Sequence, residues 1–127
     1  MRTTLTTRQS AKLDAEVKSA KFTEGVIPVI LPNGNSMQVP GFTYRGLASY
    51  EGAKRWCLLH IASNLAVCNP ETYDDAKYFA VRLSTLGDFR QGAPIIAEWP
   101  NRSHVVDCVR ALLDHGRYAK FPKENAG

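Results

Sequence analysis

Four side chains in this sequence could do chemistry together: Cys57 and His60, three residues apart, and His104 and Cys108, four apart. On helices each pair would stand one turn apart. Two such pairs facing each other would offer four soft or borderline ligands for zinc in its tetrahedral geometry. The same residues could act as a thiol nucleophile with a histidine base, which requires Cys57 and His60 within hydrogen-bond reach and a stabilised thiolate. A plainer reading competes with both. Cysteine is among the most buried residue types, Cys57 and Cys108 fall in apolar stripes, and the spacing follows no zinc-finger pattern. The expectation is buried thiols, with no metal and no cofactor. His60 and Asn64 read as buried polar residues bonded to each other or to backbone. Cys68 completes an odd set of three cysteines without a C-x-x-C pair, which argues against a disulfide framework.

Other catalytic signatures are missing. The chain contains no G-x-G-x-x-G, P-loop, G-x-S-x-G or H-E-x-x-H. Glu71, Asp74 and Asp75 cluster where a helix would begin, and negative charge there complements the helix dipole. Glu98, between Ala97 and Trp99, is expected to face solvent on an alternating strand.

Residue types suited to binding are better represented. Phe42, Tyr44, Arg45, Tyr50, Trp99 and Arg102 supply aromatic and arginine groups near loops and element ends, the types enriched at interfaces and useful for stacking on bases. Gly41-Phe42-Thr43-Tyr44-Arg45-Gly46 sets two aromatics and an arginine between glycines, a pattern that packing alone explains poorly. The tip residues Asn33 and Asn35 would project beside it. These eight residues form the expected contact surface for a partner.

The net charge of +4 is unevenly distributed. Residues 25–116 carry eight basic and eight acidic groups, so the excess comes from the two ends. Arg2, Arg8 and Lys12 at one end and Arg117, Lys120 and Lys123 at the other are the candidate contacts to nucleic-acid phosphates in a second reading. That reading predicts steep salt dependence.

These residues must be positioned by a short list of elements. Val26 to Leu31 and Met37 to Val39 flank Pro32-Asn33-Gly34-Asn35, and Asn33 and Gly34 tolerate positive φ, so the segment 26–44 reads as a β-hairpin. Helices are expected over 8–22, 50–67, 70–86 and 103–115. Ser49 would cap the second, and Asn69-Pro70 would open the third and pack it antiparallel on the second. Trp56, Leu58, Leu59, Ile61, Leu65 and Val67 point in several directions, which suggests a central helix. Pro94 to Trp99 reads as a short strand pairing with the hairpin, and the chain from Arg117 as an exposed tail.

The expected class is α+β: a small antiparallel sheet on about four helices. At 127 residues and 44% hydrophobic, residues 1–127 suit one domain with one core, with a basic N-terminal arm or helix over 1–24 and a basic tail over 117–127. No stretch reaches the ~20 apolar residues of a membrane span, and the first residues have no apolar core of a secretory signal, so a cytoplasmic location and no membrane partner are expected. The functional expectation is a small non-enzymatic interaction protein of accessory, adaptor or inhibitor type, such as phages and mobile elements encode, docking on a larger protein or nucleoprotein complex.

Overall fold

The computed structural model describes residues 3–31, 33–61, 65–90 and 101–123. The fold grows from the hairpin turn. Asn33 Oδ1 accepts from the Asn35 amide at 3.0 Å, Leu31 N donates to Asn35 O at 2.7 Å, and Gly34 takes φ 86°. On either side run β1 (Thr23–Ile30) and β2 (Ser36–Tyr44), in antiparallel register from Thr23 opposite Thr43 to Ile30 opposite Ser36. The hairpin expected over 26–44 is present.

Beyond it the chain keeps folding as sheet. A two-residue turn, Arg45-Gly46, leads into β3 (Leu47–Glu51). A loop closed by Gly52 N donating to Arg55 O at 2.8 Å then leads to β4 (Trp56–His60), and β5 (Leu65–Cys68) follows. The five strands pair in sequence order as an antiparallel meander.

The helix expected over 50–67 therefore does not form. Its apolar residues pointed in several directions because the central strands are covered on both faces. Leu58 lies in the core beneath the helices, and its neighbour Leu59 in a second cluster with Ile27, Val29 and Ala48. Ser49 is no helix cap: it is buried in β3, and its hydroxyl donates to Cys57 O at 2.9 Å.

Three helices lie among the described residues, so the α+β class holds with fewer helices than expected. α1 (Thr7–Ser19) opens with a capping box in which Thr6 Oγ1 accepts from Gln9 N and Gln9 Oε1 accepts from Thr6 N. α2 (Tyr73–Leu83) starts later than Asn69-Pro70 suggested, capped by Thr72 Oγ1 on Asp75 N at 3.1 Å. Pro70 instead precedes the helix, its carbonyl accepting from Trp56 N at 2.9 Å. α3 (Arg102–His115) ends at Gly116, as the sequence indicates. The strand expected over 94–99 lies outside the described residues.

The main core sits between one sheet face and the helices: Phe42, Leu47, Leu58 and Cys68 meet Ala76, Phe79, Ala80 and Leu83 of α2, and Val105 and Leu112 of α3. α1 packs on α2 through Leu13, Val17 and Val81. No helix among the described residues is long and apolar enough to cross a membrane.

Candidate interaction surface

β2 pairs with β3 only over Gly41–Tyr44, so the remainder of the β1–β2 hairpin extends past β3 as a two-stranded ribbon. Side chains alternate along it. Ile27 and Val29 turn inward onto Ala48 and Leu59, with Val39 and Tyr50 packed beside them. The alternate residues turn outward: Val26 is 62% exposed and Ile30 55%, with Pro28 between them and Pro40 opposite Val26. No residue from Gly25 to Tyr44 carries a charge.

The prolines have a further meaning. Proline has no amide hydrogen to donate, so Pro28 and Pro40 belong in non-hydrogen-bonded pairs, where the partner strand is owed no donor. Each is missing a donor on an outer edge of the ribbon instead. Both edges are thereby poor templates for a further strand, while the apolar outer face stays open.

At the body end of this hairpin, Arg45 takes φ 48°, the one non-glycine residue at positive φ among those described. Its guanidinium lies 5.4 Å from the Tyr44 ring centroid. Tyr44 is itself half-buried against Phe22, with centroids 4.9 Å apart. Arg45 and Tyr44 line a cleft of about 500 Å³ between the ends of α1 and α2, and Arg45 continues into a second lobe of about 310 Å³ formed with Ser84, Thr85 and the Gly87–Arg90 segment. Sequence reading singled out Tyr44 and Arg45 but not their companions Lys21, Ser84 and Thr85, which become neighbours only once β3 turns back under α2.

The other expected contact residues divide. Asn33 and Asn35 are exposed at the ribbon tip. Phe42 is fully buried, edge-on to Phe22 at 5.1 Å and to Tyr73 at 5.8 Å, so it is a core residue and no contact surface. Tyr50 is half-buried opposite Cys57, and its hydrogen bond with that thiol, together with burial, pushes the phenol up to about 12. Arg102 is the first residue of α3, and Trp99 lies outside the described residues.

Comparison of the chain with protein-family models, curated proteins and solved structures gives no match. Function must be read from the geometry.

The tetrahedral metal set does not assemble. Cys57 and His60 stand on β4, where an odd separation puts side chains on opposite faces. His60 is buried beneath the helices with Nε2 2.9 Å from Phe89 O, whereas Cys57 faces Tyr50. His104 and Cys108 do meet on α3, Nε2 to Sγ 3.6 Å. No cluster of three or more metal-type ligands occurs among the described residues. Cys68, on the strand beside Cys57, is pushed up to about 12 by burial and by that neighbouring thiol, so it is a poor nucleophile.

The basic ends are structured where described. The N-terminal segment bridges to the C-terminal one: Leu5 N donates to Tyr118 O and Lys120 N to Thr3 O, both at 2.8 Å. Ala119 is fully buried, and the Arg82 guanidinium donates to the carbonyls of Arg117 and Ala119, so the segment from Arg117 is anchored where an exposed tail was expected. Arg117 Nε pairs with Asp75 at 2.7 Å and its guanidinium stacks on Tyr78. Asp14 Oδ1 accepts from the hydroxyls of Tyr118 and Tyr78, each at 2.6 Å, which holds its carboxyl below the usual range. Arg8, Lys12, Lys120 and Lys123 are exposed, and Arg2 lies outside the described residues.

Proposed function

We propose that this protein is a small non-catalytic binding protein, of accessory, adaptor or inhibitor type, that docks on a larger protein through the β1–β2 ribbon. One observation carries the reading: an uncharged ribbon that extends past β3 with Val26 and Ile30 largely exposed on either side of Pro28. Exposed apolar residues set in a row mark contact sites more often than single ones do. Proline-blunted edges disfavour open-ended strand addition and leave the face available to a chosen partner.

The ribbon also bounds the kind of partner. Five residues per strand beyond the β3 pairing, at about 3.4 Å rise and two strands about 4.8 Å apart, give a face of about 160 Å². A standard interface needs about 800 Å² from each partner, so ribbon against ribbon between two copies falls short. A groove that receives the outer face, the tip with Asn33 and Asn35, and the Arg45 end together comes closer. The ribbon has no cation for phosphate, and Arg117, one of the six cations of the nucleic-acid reading, is committed to Asp75. Both facts favour a protein partner.

The test compares capture from a nuclease-treated bacterial lysate by the wild-type chain and by Val26→Glu/Ile30→Glu. The expected result is a stoichiometric protein retained at moderate salt by wild type and lost with the variant, whose thermal unfolding is unchanged. Capture unaffected by the variant would sink the ribbon as the docking face. Material that disappears with nuclease would sink protein docking altogether.

A further inference from the structure

The two-lobed cleft at Arg45 is separate from the ribbon face, and Arg45 itself is not explained by packing. We infer that it is a binding site for a small organic oxyanion, a phosphate or carboxylate on an apolar body, with Arg45 holding the anionic group. The cleft, at about 500 Å³ with a further 310 Å³ beyond Arg45, lies in the range of small-molecule sites. Arg45 has no ion pair or hydrogen-bond partner among the described residues, whereas Arg55, Arg90 and Arg117 each pair with a carboxylate. The Tyr44 ring is its one neighbour of note, and stacking there leaves the in-plane guanidinium donors available to a bidentate acceptor.

The charges around it suit this ligand. Asp88 is matched by Arg90 at 3.1 Å in the smaller lobe. In the larger, Lys21 and Arg45 outnumber Glu16, leaving one positive charge in excess. Two helices end at the cleft, and their exposed carbonyls would repel an anion. The hydroxyls of Ser19, Ser84 and Thr85 cover them by donating to Glu16 O, Val81 O and Arg82 O respectively. The Tyr44 ring, Ala20 and Val81 supply an apolar wall for the body of the ligand. An arginine at positive φ, where asparagine or glycine would turn more easily, fits a position kept for its side chain.

The experiment is titration of the full chain with phenyl phosphate and with inorganic phosphate, followed by the arginine Nε–H and backbone amide NMR signals. Expected is a saturable shift of Arg45 and of the Ser84 and Thr85 amides with phenyl phosphate, at least tenfold weaker binding of inorganic phosphate, and at least tenfold weaker phenyl phosphate binding in Arg45→Gln. Arg55→Gln, elsewhere on the surface, should leave the affinity unchanged. Absence of a saturable shift at Arg45, or full affinity in Arg45→Gln, would overturn the site. Equal affinity for the two phosphates would overturn the role given to the apolar wall.

Discussion

The two turns at the ends of β2 make the same kind of reversal with different residues. At the tip, Asn33 and Gly34 suit the turn by their own conformational preferences, and an added Cβ on Gly34 would meet nothing within 4 Å. At the body end, Arg45 is poorly suited to its left-handed backbone, and Gly46 is hemmed in: a Cβ there would lie 2.4 Å from Phe89 C and 2.5 Å from Phe89 O. The tip turn is set by local chemistry, the body turn by what surrounds it. A position held against local preference by tertiary contacts is where a side chain is retained for something besides folding.

Substitutions at the two turns sharpen this contrast. Gly46→Ala combines a backbone clash with a φ of 86°, and should cost about 3 kcal/mol or more, read as a fall in urea midpoint. Gly34→Ala shares the φ without the clash and should cost about 1 kcal/mol. Equal losses at the two sites would erase the distinction. Arg45→Gly removes left-handed strain but adds freedom to the unfolded chain, for a net gain of about 0.5 kcal/mol. A destabilised Arg45→Gly would show that the arginine serves the fold.

Ile30→Lys, on the exposed outer face of the ribbon, should change stability by no more than about 0.5 kcal/mol. The smallest effect is acid dependence. Two tyrosine hydroxyls hold the Asp14 carboxyl below the ordinary carboxylate range, so its stabilising contribution is complete above the unfolded-state pKa and is lost as pH falls through the lower folded one. Asp14→Asn should flatten that part of the unfolding profile between pH 5 and 2. The uncharged ribbon contributes nothing to it, and an unchanged profile would remove Asp14 from the account.

The tip turn was readable because its signal is local: Asn33-Gly34 between β-rich runs names a hairpin without help from elsewhere. The centre of the sheet was not, because burial on both faces removes alternation. Trp56-Cys57-Leu58-Leu59-His60 as a buried strand and as part of a buried helix look alike in sequence. What could have separated them is length and punctuation, with Arg45-Gly46 and Gly52 bounding runs of only five residues. The metal set failed for the same reason, since three-residue spacing means one face on a helix and opposite faces on a strand. Of the expected surface, Arg45 and the tip asparagines stayed outside and Tyr44 is half-buried, while Phe42 went into the core because Phe22 and the Tyr73 ring of α2 close over it. The cleft needs Lys21 and Ser84 brought together across more than sixty residues, which no local pattern encodes.

The hydrogen bonds that join Thr3 to Lys120 and Leu5 to Tyr118 make the chain nearly a ring. Closing that ring during folding carries the largest loop entropy of any contact described here, so the bridge forms late and opens early. Splicing the ends across the bridge and cutting at Asn33-Gly34 would make the bridge local but turn the β1–β2 pairing, now adjacent along the chain, into the longest-range contact. Such a chain, with the ribbon's two strands as its new termini, should fold more slowly.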